Sequence, residues 1–275
     1  MSSAKNYCPI ALLETLSKLL EKVITSRLIF EVGKYQLIPQ SQFGGGDLTS
    51  YVDAGICMVH DIKSCWAQNK VASLLTLDVS GYFNNVDHKR LIFTLDRMGF
   101  NNNTCGWIES YLNNRSAQFR IDGYTCSPFL LPPTGIPQGS PLSPILSSIY
   151  SVPLLHAASD LQSISFAYID DFTILATSHS LDNNINIITN TVSNINNITS
   201  KLRLSFEMPK SELIHFPRPY STPNSLLPIH LQENNNIITI HHSPCIRWLG
   251  FYLDAKLSFK EHVQNMANRA KATIS

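Results

Sequence analysis

Three aspartates carry the first chemical signal in this chain. Asp170 and Asp171 stand side by side in FAYIDDFTIL, between two runs of strand-forming apolar residues, and Asp78 lies near the end of another apolar run, VASLLTLDV. Adjacent carboxylates repel each other, and neither belongs beside buried strand residues unless something positive sits between them. Divalent cations would meet that need. Oxygen ligands that hold two ions about 3.5–4 Å apart let one activate an attacking hydroxyl while the other steadies the leaving oxygen. Mg²⁺ takes few protein carboxylates and completes its octahedron with water and substrate phosphates, which suits three aspartates on neighbouring strands. Side chains alternate along a strand, so Asp170 and Asp171 are expected to play unequal roles. An isolated Asp-Asp pair is more often a solvated turn, so its company in the chain has to decide.

The elements that must position these residues are legible in the hydrophobic periodicity. Residues 10–32 repeat apolar side chains at three- and four-residue steps and predict an amphipathic helix; a second is predicted over 52–68. Residues 71–79 read as a buried strand, 88–98 and 104–112 as helices, and 117–122 as a short strand. Pro132, Pro133 and Pro137 make LLPPTGIPQGS an extended loop, followed by a helix over LSPILSSIYSVPLLHAA despite Pro144 and Pro153. SISFAY and FTILAT predict a hairpin with Ile169, Asp170 and Asp171 at its tip. A long helix over 181–203 should bury Ile185, Ile188, Val192 and Ile195. Strands are predicted at 211–216 and 246–254, a loop at PRPYSTPNSLLP between them, and a last helix from about 258. In SQFGGGDLTS, Gly44, Gly45 and Gly46 break regular structure and permit a close backbone approach to a ligand. The mixture of hairpins and helices predicts an α+β fold.

Composition sets the outer bounds. With 275 residues and 44% apolar content the chain can bury a substantial core, as one large domain or two smaller ones. A net charge of +1 does not announce a nucleic-acid binder, so any basic site is expected to be local. The cysteines Cys8, Cys57, Cys65, Cys105, Cys126 and Cys245 form no C-x-x-C pair, which excludes a zinc knuckle or redox motif and reads as free thiols of an intracellular protein. His241, His242 and Cys245 fall short of a four-ligand metal site. No signal peptide or membrane-length apolar run is present, so the expectation is a nuclear or cytoplasmic protein without a membrane partner; the sequons at Asn102, Asn114 and Asn197 read as accidents of an Asn-rich chain.

Five blocks, TLDVSGYFNNVDHKRL, GIPQGSPLSPIL, FAYIDDFTIL, KSELIHF and IRWLGFYLD, occur in an order and spacing that resemble the reverse transcriptase domain of LINE-like non-LTR retrotransposons. Upstream, YCPIALLETLSKLLEKVITSRL and SQFGG resemble that family's opening blocks, so the resemblance runs from about Tyr7 to Asp254. It implies a right-hand polymerase fold: an antiparallel palm sheet packed on helices, with fingers, and with the thumb largely missing. The implied division is fingers over 1–75, palm over 76–254 with a fingers-like insertion near 90–135, and the start of a thumb or connection over 255–275.

The implied activity is RNA-directed DNA polymerisation on an RNA template annealed to a DNA primer, from deoxynucleoside triphosphates, with two Mg²⁺ ions or Mn²⁺ in their place. By the same resemblance Asp78 and Asp170 would be the principal metal ligands, with Asp171 nearby and less essential and the Val79 carbonyl also coordinating, and Lys210 would protonate the leaving pyrophosphate. Phe83 would pack under the incoming sugar, Gln138 and Gly139 would lie along nucleotide and template, and Tyr168, Trp248, Leu249 and Gly250 would hold the primer end.

Three features depart from the family pattern. Gly46, Asp47, Leu48 and Thr49 follow the FGG block where two phosphate-neutralising arginines are usual, Cys8 replaces another arginine, and the span of the chain leads to the expectation of a truncated copy without the upstream endonuclease and most of the thumb; Ile169, where alanine is usual, is a milder change. The competing reading is therefore a decayed retroelement fragment with weak nucleic-acid binding and no catalysis.

Overall fold

The residues Val71–Asp78, VASLLTLD, are apolar enough to be covered on both faces, and they form an inner strand of the main sheet. The computed structural model describes residues 10–45, 49–159, 163–219, 221, 226–233 and 236–274. Along the chain run α1 (Thr15–Tyr35), α2 (Tyr51–Ala67), β1 (Val71–Asp78), α3 (Tyr82–Asn85), α4 (His88–Arg97) and α5 (Asn102–Leu112). Four two-residue strands follow, β2 (Ser116–Ala117), β3 (Arg120–Ile121), β4 (Tyr124–Thr125) and β5 (Phe129–Leu130), then α6 (Ser143–Ser159). The remainder comprises β6 (Ser163–Tyr168), β7 (Asp171–Ser178), α7 (Leu181–Lys201), β8 (Glu212–Phe216), β9 (Ile229–Glu233), β10 (Asn236–Ile240), β11 (Cys245–Trp248), β12 (Phe251–Asp254) and α8 (Lys260–Ile274). The chain divides into two compact units, one of Met1–Pro39, Gly81–Val152 and Ser200–Leu204, the other of Gln40–Ser80, Pro153–Thr199 and Ser205–Ser275.

The second unit is built on an antiparallel sheet in the order β6-β7-β1-β8. Its core gathers Met58 and Ile62 from α2, Leu74 from β1, Phe166 from β6, Ile214 and Phe216 from β8, and Trp248 from β11. The hydroxyl and carboxylate of Ser50 and Asp53 form a reciprocal cap that starts α2 just after the glycine cluster. On α7, Ile188, Val192 and Ile195 are buried as expected, whereas Ile185 is half-buried. Of the buried polar residues of this helix, Asn184 donates to the Val71 carbonyl (3.0 Å) and to Ser73 Oγ (3.1 Å). Ser73 Oγ also lies 2.7 Å from Nδ1 of the fully buried His215, whose Nε2 donates to the Leu227 carbonyl. These partners join the helix to the sheet through the Asn184 amide nitrogen, while its buried Oδ1 has no hydrogen-bond partner among the described residues.

Two hairpins in this unit differ from expectation. IHLQE and NIITI pair as β9 and β10, a ladder absent from the sequence reading because Asn-rich surroundings mask the alternation. IRWLGFYLD is not one strand: Leu249 and Gly250 adopt φ of +46° and +87° and turn it into the β11–β12 hairpin.

In the first unit, α1 starts at Thr15, later than expected. Glu21 and Leu28 are its buried residues, while Leu16, Leu19, Leu20 and Phe30 are exposed. Leu91 and Leu95 of α4 and Ile108 and Leu112 of α5 are buried. The predicted strand over 117–122 is split, with β2 pairing β5 and β3 pairing β4 in a long exposed hairpin. Tyr82 and Tyr150 donate their hydroxyls to the carbonyls of Ser147 and Leu202, and Arg203 pairs with Asp87 at 2.8 Å. Among the described residues no helix is long and apolar enough to cross a membrane. Five described cysteines are free thiols; Cys8 lies outside the described residues.

Candidate active site

The β1–β7 register places Asp78 directly opposite Asp171. Asp171 also pairs with Tyr168 across the β6–β7 hairpin, so the turn is Ile169–Asp170 alone and Asp171 is the first residue of β7. This corrects the expectation that both aspartates sit at the tip: two ladders claim Asp171 for the sheet. Asp170 is left on the turn, next to Ile169 at φ +59°.

The SQFGG block backs this turn. Phe43 N–H donates to the Ala167 carbonyl (2.8 Å) and Ala167 N–H to the Ser41 carbonyl (2.9 Å), a short parallel addition beside β6. A Cβ on Gly44 would lie 2.6 Å from both Ile169 N and Ile169 Cγ1. The close approach at this glycine was expected toward a ligand; what its backbone meets is the aspartate turn. Of the residues standing where arginines are usual, Thr49 closes the loop by donating to the Phe43 carbonyl (2.9 Å); Gly46, Asp47 and Leu48, like Cys8, lie outside the described residues.

Crowding of the carboxylates is visible in their acidity. Packing around Asp171, whose side chain still reaches the surface, raises its pKa to about 6, with the charges of Asp170 and Asp78 adding to the effect. Burial first, then Asp78, also raises Asp170 above the usual carboxylate range. Lys210 is the nearby counter-charge: its Nζ lies 2.5 Å from Glu207 and 3.2 Å from Asp78 Oδ2, and hydrogen bonds to Glu207 and then Asp78 raise its pKa. The Asp78 carbonyl accepts from Glu207 N–H (2.8 Å), and buried Val79 bridges Phe206, so the end of β1 and the lysine-bearing segment are tied together.

A cleft of about 570 Å³ opens here, lined among others by Asp78, Asp171, Lys210, Arg247, Trp248 and Leu249. Trp248 donates its indole N–H to Thr173 Oγ1 of β7 (2.8 Å) and packs edge-on against Phe166, which holds the β11–β12 turn beside the cleft. Arg247 is a cation at this cleft that the motif reading passed over; its signal was its place beside Trp248 in a strand of otherwise apolar character. Thus the second unit assembles Asp78, Val79, Asp170, Asp171, Lys210, Tyr168, Trp248, Leu249 and Gly250.

Phe83, Gln138 and Gly139 belong to the first unit. Phe83 is half-buried, edge-on to Tyr82, and its carbonyl accepts from Ile136 N–H (2.8 Å), two residues before Gln138. Gln138 offers its carbonyl to Ala11 N–H (2.8 Å), and Gly139 turns at φ +102°.

The sequence pattern of the family described as "Reverse transcriptase (RNA-dependent DNA polymerase)" matches residues 2–253, so this chain belongs to the reverse transcriptase family. Two relatives from Drosophila melanogaster are each 24% identical: the probable RNA-directed DNA polymerase from transposon BS, over 97% of this chain, and the RNA-directed DNA polymerase from mobile element jockey, over 98%. The matches place the chain with the LINE-like, non-LTR elements. The chain spans 29% of the length of each relative. Among solved structures, telomerase from Candida tropicalis in complex with a fragment of telomeric RNA shares the fold at a TM-score of 0.59 and 12% identity, over 90% of this chain and 37% of that one. The right-hand polymerase fold expected from the motifs is therefore present.

Proposed function

We propose that this chain is the polymerising part of a non-LTR retrotransposon enzyme and extends a DNA primer on an RNA template. The observation that carries the reading is the placement of Asp78 opposite Asp171 with Asp170 on the adjoining turn: carboxylates far apart in sequence meet at one sheet end. In the transfer, the primer 3′-oxygen bonds to the α-phosphorus as the bond from that phosphorus to the bridging β-oxygen breaks, and pyrophosphate leaves.

The donor set at this sheet end is all oxygen, which fits Mg²⁺ or Mn²⁺. Among the described residues no three His, Cys, Asp or Glu side chains are gathered closely enough to form a finished metal cage. That agrees with hard cations that take much of their coordination from water and phosphate, and the raised pKa values of Asp170 and Asp171 mark repulsion a cation would relieve. Asp78, Asp170, Asp171 and the Val79 carbonyl would hold two ions, which when bound lower the pKa of the attacking hydroxyl and neutralise phosphate charge.

The chain's own groups supply the rest. Lys210, protonated in its pair with Glu207 and Asp78, is the candidate proton donor to the leaving pyrophosphate. Arg247 at the same cleft supplies a local cation to phosphate. Tyr168 and the turn of Trp248, Leu249 and Gly250 support the primer end; Phe83 excludes a ribose 2′-hydroxyl, and Gln138 and Gly139 border nucleotide and template. The names fingers (1–75), palm (76–254, with an insertion near 90–135) and connection (255–275) follow this same reading. A decayed, non-catalytic fragment is the less favoured reading, because the three aspartates stand intact in a family match over nearly the whole chain.

Extension of a labelled primer on an RNA template with Mg²⁺ and deoxynucleotides, beside an Asp170→Ala control, tests the proposal. Product above the control supports it; none above the control removes it.

A further inference from the structure

Glu21 is an acid in a buried place: it lies on α1 and is 1% exposed. A carboxylate without water must find donors. Among the described residues it has no salt-bridge partner, and its donors are two hydroxyls: Ser17 reaches Oε1 at 2.8 Å, and Ser140 reaches Oε2 at 2.5 Å. Ser140, 4% exposed, immediately follows the Gln138–Gly139 turn.

The hydroxyl of Ser140 is fully committed. It accepts from Leu142 N–H (3.0 Å) and from the Tyr111 hydroxyl (3.2 Å), so both lone pairs are in use and its single proton goes to Glu21. The turn is also held from the other side. Ala11 N–H uses the Gln138 carbonyl, and a Cβ on Gly139 would come within 3.1 Å of the Ala11 carbonyl. With its carbonyl engaged, Gln138 has its side-chain amide left to meet a ligand.

We propose that Glu21 is a positioning residue: through Ser140 it fixes the Gln138–Gly139 turn in the orientation that receives the incoming nucleotide and its template partner. The assignment rests on the nucleotide-binding role given to that turn above. Glutamine can serve in place of glutamate, because its oxygen accepts from Ser140 while its NH₂ donates to Ser17. Leucine fills the space and accepts from neither.

Two measurements on the full chain decide it. In steady-state primer extension on RNA, Glu21→Leu and Ser140→Ala should each raise KM for the deoxynucleotide about tenfold with kcat within about threefold, and Glu21→Gln should stay close to the parent. The double variant Glu21→Leu/Ser140→Ala should be no worse than either single one, because both remove the same link. Equal behaviour of the leucine and glutamine variants, a fall in kcat at unchanged KM, or additive losses would each overturn the proposal.

The second measurement, amide hydrogen exchange across 138–142 without nucleic acid, does not depend on polymerase activity. Faster exchange in Glu21→Leu but not in Glu21→Gln supports the anchoring; unchanged exchange in Glu21→Leu refutes it. A parent chain that extends no primer would instead count against the polymerase reading alone.

Discussion

Two tight hairpins border the candidate cleft of the second unit, and they solve one backbone problem differently. The β6–β7 turn, Ile169–Asp170, places a β-branched residue at φ +59° and carries a charge; the β11–β12 turn, Leu249–Gly250, is apolar and ends in a glycine at φ +87°. Ile169 is a poor residue for a left-handed conformation, and such a residue persists only where surroundings over-determine it. Gly44, approaching so closely that no Cβ fits, is that surrounding. The apolar turn also places a non-glycine residue, Leu249, at φ +46°, but its second residue is a glycine that takes positive φ at little cost, and Trp248 ties the hairpin to Thr173. A turn that must present a carboxylate in a set direction is thus held by backbone, and one that offers a surface is held by a side chain.

The largest effect should come from the charged turn. Asp170→Asn is expected to lower primer extension by about 10³-fold while circular dichroism stays that of the parent, whereas Leu249→Ala should cost far less in the same assay. Comparable losses from the two would erase the functional contrast.

Backbone support comes next. Gly44→Ala should lower unfolding stability by about 1–3 kcal/mol in urea titration, since the added methyl meets the Ile169 backbone as well as its side chain. A neutral result would show that Gly44 does not hold the turn. On the other hairpin, Trp248→Phe removes the indole donor to buried Thr173 and should cost about 1–2 kcal/mol by the same titration. Gly250→Ala should cost about 1 kcal/mol from positive φ alone, because its Cβ would meet open space.

The smallest effect is a pH slope. Asp171 holds its proton more tightly in the fold, with a pKa of about 6 against 3.8 for the unconstrained side chain. The folded state therefore binds more protons than the unfolded one between those values, and this group's contribution falls as pH rises from about 4 to about 6. In metal-free buffer the urea midpoint of Asp171→Asn should lack that decline; a parallel pH profile for the two proteins would remove Asp171 as its source.

Much of the site could be read in one dimension because its signals are local. VASLLTLD, SISFAY and FTILAT declare strands by composition, and the five ordered blocks locate Asp78, Asp170 and Asp171 whatever the packing around them. That the two adjacent aspartates should play unequal roles was legible from strand alternation; that Asp171 belongs to the sheet and Asp170 alone to the turn was not, because it depends on which ladder claims Asp171. The β9–β10 hairpin was missed for a similar reason: short alternating runs among asparagines gain their identity from pairing. Residues 117–122 show the reverse error, since β propensity marked a strand without marking where the chain bends away.

Composition and motif order by themselves determined what this protein is: an α+β chain with the reverse transcriptase blocks in sequence. Tertiary structure alone decided how the site is held. Gly44 became the support of a strained turn, Ser73 became the shared partner of Asn184 and His215, and Glu21 became the acceptor behind Ser140. The physical reason is range. Strand propensity and motif spacing act between neighbours in the chain, whereas close approach and the satisfaction of a buried polar group depend on whatever the fold brings alongside.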